Sequence, residues 1–85
     1  EHETIKEWVK DLKNTEYLEL KSAKLEKLNG MDIAYVQGAS EGENFIEVDI
    51  IEDNVFYSYS MVYDNNDNPS SLKEELLKFV SADWE

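Results

Sequence analysis

The nearest approach to a catalytic arrangement in this 85-residue chain is a pair of carboxyl residues two apart, Glu47 and Asp49. Alternate residues of a strand share one face about 7 Å apart. Paired carboxyls at such a separation can act as acid and base on a glycosidic bond. That work requires the two groups to titrate apart, through a cleft or unequal burial. An open sheet face provides neither, so the pair reads as solvated or partner-binding surface and no enzyme activity is expected. A second constellation, Asp64, Asn66, Asn68 and Glu75, occupies the first, third, fifth and twelfth places of an EF-hand-like calcium loop. Two other places fail: the sixth, which needs glycine, is Pro69, and the eighth, usually apolar, is Ser71. A strand rather than a helix precedes the loop. It reads as a strand-to-helix connection rich in turn formers, and neither metal nor cofactor is expected. Nucleophilic chemistry has no support, because cysteine is absent and the single imidazole is His2.

Charge narrows the partners. Acids number 20 against 8 basic residues, for a net charge of −12. Every basic residue is lysine, so no guanidinium fork is available for phosphate. Direct nucleic-acid binding is excluded by repulsion from the phosphate backbone. The imbalance is local: residues 1–28 carry a net −1 and residues 29–85 a net −11. Such a field steers basic proteins or keeps a domain in solution. No apolar run approaches the roughly 18 residues of a membrane span.

The elements that must position these residues follow from periodicity. Ile5, Trp8, Val9 and Leu12 form the stripe of an amphipathic helix from about Thr4 to Lys13. Tyr17 to Leu28 reads as a strand whose alternation switches parity near Lys21-Ser22, the mark of a bulge. Asn29-Gly30 predicts a type I′ hairpin turn that sets Lys27 opposite Asp32, Leu25 opposite Ala34 and Ala23 opposite Val36. Gly38 to Glu43 is read as a flexible connection. A second hairpin joins Asn44–Glu52 to Val55–Tyr63 through Asp53-Asn54. Its register places Ile50, Val48 and Ile46 opposite Tyr57, Tyr59 and Met61 on one face. On the other face Asp49 meets Ser58 and Glu47 meets Ser60, between Ile51–Phe56 and Phe45–Val62. A one-residue slip would drive both acids into the core, so the pattern selects its own register. The closing helix starts at Asn68-Pro69 or at Ser71 with Glu74 and buries Leu72, Leu76, Leu77, Val80 and Trp84, with Phe79 at the edge. Trp8 and Trp84 are expected to anchor the helices, and Tyr35 to lie at the surface.

Three segments resemble the later half of the PsbP-like fold, shared by photosystem extrinsic subunits, bacterial lipoproteins and a yeast Ran-binding factor. SAKLEKLNGMDIAYVQ sets an NG turn before an apolar strand. NFIEVDIIEDNVFYSYSMVY is a strand, a short turn and a tyrosine-rich strand, and SLKEELLKFVSADWE resembles the family's final helix. The resemblance spans nearly all of this chain and about half of the family's domain. It lies in element order and hydrophobicity rather than in chemical residues. It implies a non-catalytic binding or assembly module, often extracytoplasmic, and carries over no catalytic residue.

The expected architecture is an α+β two-layer sandwich over residues 1–85: a helix, an antiparallel meander of about four strands, and a helix, both helices covering the one apolar face. Opening on Glu1, the chain reads as a processed protein, an excised domain or a shortened member of a larger fold. The expected function is a protein-interaction or assembly module. Its partner has a basic surface and is met by Glu41, Glu43, Glu47, Asp49, Ser58 and Ser60. The alternative is a small acidic inhibitor that mimics nucleic acid on a basic target, as phage or plasmid antagonists do, which would place it in the cytoplasm. A calcium-dependent module is a third reading. Monomer and homodimer are both compatible, and a dimer would bury Phe45, Ile51, Phe56 and Val62 between copies.

Overall fold

In the computed structural model, which describes residues 4–14 and 19–84, the backbone reverses three times through two-residue loops. Asn29-Gly30, Glu41-Gly42 and Asp53-Asn54 all hold positive φ, from 51° to 82°. These are type I′ values, which match the twist of the strands they join. The elements are α1 (Ile5–Lys13), β1 (Glu19–Leu28), β2 (Met31–Ser40), β3 (Glu43–Glu52), β4 (Val55–Tyr63) and α2 (Pro69–Asp83). The strands form one antiparallel sheet in the order β1-β2-β3-β4. The α+β class and the helix–meander–helix order stand as read.

The two outer hairpins carry the expected registers. Ala23 pairs with Val36 and Lys27 with Asp32, and the register shifts between Leu20 and Ser22, where the parity change predicts a bulge. Val48 pairs with Tyr59, Asp49 with Ser58 and Glu47 with Ser60. The middle connection differs from expectation. Gly38 to Ser40 continue β2, and only Glu41-Gly42 form the turn, so Gly38 pairs with Phe45 and Ser40 with Glu43. The signal was concealed by Glu41, which stands where a type I′ turn prefers asparagine, aspartate or glycine.

The layering also differs. The helices do not share one face. Ile33 and Tyr35 of β2 join Ile46, Val48, Ile50 and the α2 residues Leu76 and Val80 in one core. Ala34 and Val36, on the opposite parity, join Ala23 and the α1 residues Ile5, Val9 and Leu12 in another. The sheet is therefore sandwiched, with α1 over β1 and β2 and α2 over β3 and β4. The reason is legible in β2: Ile33-Ala34-Tyr35-Val36 are buried in succession, the pattern of a strand covered on both sides. Tyr35, expected at the surface, lies in the core with the Lys73 ammonium 4.3 Å above its ring. Each fully buried Ile or Val in these cores contributes about 1.5–3 kcal/mol.

Both helices start on side-chain caps. Thr4 and Glu7 form a reciprocal capping box on α1, a signal the periodicity reading passed over, and Asn68 caps α2 with Pro69 in its first turn. At the far end of α2, Trp84 Nε1 donates to the Tyr59 hydroxyl at 2.9 Å, and that hydroxyl donates to Asp83 Oδ2 at 2.6 Å. Trp84 also meets the Tyr57 ring edge-on at 5.0 Å. Trp8 anchors α1 through the site described next.

Candidate functional site

Glu47 and Asp49 lie on the α1 face of β3, as their parity requires, but they are not equally wet. Asp49 is 0% exposed. It pairs with Ala34 on β2, whose small side chain lets α1 approach the sheet. From α1, Trp8 Nε1 donates to Asp49 Oδ2 at 2.7 Å, and from β4 Ser58 Oγ donates to Asp49 Oδ1 at 2.8 Å. The Trp8 ring also meets Phe56 edge-on at 5.1 Å. Asp49 is thus a buried anchor and not the open partner-binding acid expected. The local cause is α1, whose placement on this face sequence periodicity does not determine.

Glu47 stands two residues nearer the β2–β3 turn and is half-buried. Its carboxyl is pushed up to about 8, chiefly by burial and then by the hydrogen bond and the negative charge of Asp49, while a hydrogen bond with Ser58 acts the other way. The expectation that nothing separates the two carboxyls is therefore overturned: the sheet face is covered unevenly, and Glu47 keeps its proton at neutral pH. This asymmetry does not make a catalytic pair. Asp49 has no surface for a substrate to reach, and both of its oxygens already accept protein donors.

Where α1 ends its cover, the same face opens into a groove of about 340 Å³ lined by Ser40, Glu41, Glu43, Phe45, Glu47, Ser60 and Val62. Four of the six residues singled out from sequence, Glu41, Glu43, Glu47 and Ser60, meet here. The other two, Asp49 and Ser58, sit deeper along the strands and bond to each other. The floor is apolar, from Phe45 and Val62, and the rim is acidic. A second groove of about 340 Å³ adjoins it around the end of the sheet, sharing Glu43 and Val62 and adding Asp64 and Asp67.

The calcium-loop residues do not assemble. Asp64 Oδ1 accepts from the Asn66 amide and Asn68 Oδ1 from the Ser70 amide, so loop backbone occupies both. Glu75 is exposed on α2. No group of three or more Asp, Glu, His or Cys side chains that could hold a metal ion occurs among the described residues. His2 lies outside them. No helix among them is long and apolar enough to cross a membrane. Phe45 and Ile51, expected at a dimer interface, pack against the α1 core instead, whereas Phe56 and Val62 stay 46% and 60% exposed.

Fold and groove define a small α+β domain with a helix on each face of a four-stranded meander and an acidic, apolar-floored groove at one end of the sheet. No protein-family model, curated protein or solved structure matches the chain.

Proposed function

We propose that this domain is a non-enzymatic interaction module that receives a lysine or arginine side chain of a basic partner protein in the groove between the β2–β3 turn and the end of β4. The carrying observation is the convergence of Glu41, Glu43 and Glu47 around a floor of Phe45 and Val62. That geometry suits a cationic side chain, whose methylene stem lies on apolar surface while its head meets carboxylates. The net −11 of residues 29–85 supports it by steering a basic partner toward this end. A binding or assembly role also agrees with what the PsbP-like resemblance implies.

Short model peptides test the reading. One carries a single arginine or lysine between apolar residues; its control carries citrulline or acetyl-lysine instead. The cationic peptide is expected to shift the amides of 40–47 and 60–62, and to bind several-fold more weakly when salt rises from about 0.05 to 0.3 M. Equal shifts with the neutral control, or shifts centred elsewhere, would count against the groove. Competition with DNA for a basic protein, without any response from these amides, would favour the inhibitor reading.

A further inference from the structure

We propose that the free edge of β4 pairs with the β4 edge of a second copy of this chain, antiparallel about a two-fold axis at Tyr59, joining two sheets into one of eight strands. The sheet has two edges, β1 and β4, and they are built differently. β1 carries Glu19, Lys21, Lys24, Glu26 and Lys27 and the bulge at Leu20/Ser22, the devices by which edges resist pairing. β4, VFYSYSMVY, has no charge, no proline and no register shift over nine residues. In a chain of net charge −12, it is an unguarded template for another strand.

The hairpin geometry fixes which of its backbone groups are free. A two-residue type I′ loop at Asp53-Asn54 makes Glu52 and Val55 a hydrogen-bonded pair. Alternation then turns the N–H and C=O of Tyr57, Tyr59 and Met61 toward β3. Those of Phe56, Ser58, Ser60 and Val62 face outward, with no strand beside them among the described residues.

The occupant follows from the side chains. With the axis at Tyr59, Phe56 pairs with Val62 of the second copy and Ser58 with Ser60, both as hydrogen-bonded pairs. On the α2 side Tyr57 pairs with Met61 and Tyr59 with its own counterpart. Apolar meets apolar and hydroxyl meets hydroxyl along the whole strand. Moving the axis to Ser58 or Ser60 preserves the hydrogen-bond parity but sets Phe56 against Ser60, or Val62 against Ser58. The strand is thus self-complementary in one register. That register packs Phe56 of each copy against Val62 of the other, and both side chains are exposed in the single chain. The acids on β3 do not oppose it: equivalent carboxyls of the two copies would lie three strand spacings apart, about 14 Å, beyond the screening length of about 8 Å at physiological salt. A single strand pair is a small interface, below about 1,200 Å² in total, so the dimer is concentration-dependent.

Sedimentation equilibrium from about 5 to about 500 μM tests this range. Mass is expected to double across it, and added salt is expected to strengthen association, opposite to its effect on peptide binding in the groove. The amides of Phe56, Ser58, Ser60 and Val62 are expected to exchange at least tenfold more slowly at the high concentration, with β1 unchanged. Ser60→Pro removes an outward donor that β3 does not use and is expected to weaken the dimer at least tenfold. The chain lacks cysteine, which allows a register test. Tyr59→Cys brings two Cα atoms to about 4.5 Å and is expected to cross-link under mild oxidation. Val62→Cys leaves its copies about 20 Å apart and is expected not to. A chain that stays monomeric throughout, with β4 amides exchanging equally at both concentrations, overturns the proposal. So does a dimer in which Val62→Cys cross-links and Tyr59→Cys does not.

Discussion

Replacing Glu47 by glutamine is expected to stabilise the domain above neutral pH, although it alters a half-buried hydrogen-bonding group. The folded chain holds the Glu47 proton up to about pH 8, whereas the ordinary value is 4.5. Between those values the folded state binds a proton that the unfolded state has lost, so stability falls as pH rises. The contribution of this group is fully present below pH 4.5 and is lost as pH passes through about 8. Each pH decade is worth about 1.4 kcal/mol, so the whole interval sets a ceiling of about 5 kcal/mol. Water in the groove reaches Glu47 and screens it, which lowers the expected effect to about 1–2 kcal/mol. Glutamine keeps the shape and a donor toward Asp49, yet has no proton to lose. For a domain this small the variant is expected to melt roughly 5–10 °C higher at about pH 8.5. At about pH 4.5 it is expected to match the parent. Circular-dichroism melts of both proteins between these limits read the difference, and His2, common to both, cancels from it. Two melting profiles that run parallel across the range, or a glutamine variant less stable at the alkaline end, would refute the argument that burial beside Asp49 holds this proton.

Other substitutions probe the frame around the groove. A Cβ at Gly38 would stand 2.8 Å from the Glu19 carbonyl oxygen and 3.2 Å from the Phe45 ring, so Gly38→Ala is expected to cost about 1–3 kcal/mol in urea unfolding with an unchanged m-value. A cost below about 0.5 kcal/mol would mean that β1 gives way freely at its bulge. Trp8→Phe deletes the 2.7 Å bond to Asp49 and is expected to cost about 2–3 kcal/mol, because a buried carboxylate loses a donor; a neutral outcome in the same assay would show that α1 is held by packing alone. Glu41 has φ +53°, so Glu41→Asn is expected to raise stability by about 0.5–1 kcal/mol while weakening cationic-peptide binding several-fold. Higher stability with unchanged affinity would remove Glu41 from the recognition surface.

What could be read from the chain depended on whether neighbours in space were also tied by parity. The β3–β4 ladder was legible because each strand alternates and each polar pair has one partner register: Asp49 with Ser58, Glu47 with Ser60. The bulge at Leu20/Ser22 and the Asn29-Gly30 turn were legible for similar local reasons. The two-sided cover is marked in β2 by four consecutive buried residues, but the strong alternation of β3–β4 points to a single apolar face. The β2–β3 turn was lost to one residue, Glu41, whose type argues against the conformation it adopts. The fate of Asp49 could not be read locally at all, since Trp8 lies 41 residues away in sequence.

The departures from local preference gather in one place, and this strengthens the groove reading. The other two turns carry asparagine, aspartate or glycine at every positive-φ position, the helix starts are capped by side chains, and no described buried side-chain nitrogen or oxygen lacks a partner. Against that background Glu41 accepts a left-handed backbone at about 1 kcal/mol, and Glu47 accepts a desolvated carboxyl. Both line the same groove. Sequences otherwise consistent at every level tend to break their own rules where function needs it. A cationic side chain entering this groove would let Glu47 ionise by supplying the counter-charge that the free protein lacks, releasing a proton as it binds. Affinity for a lysine or arginine peptide is therefore expected to be coupled to proton release between about pH 6 and 8, and that coupling is expected to vanish in Glu47→Gln. A proton count of zero by calorimetry in buffers of different ionisation enthalpy would mean that the cation stops at Glu41 and Glu43 and never reaches the half-buried carboxyl.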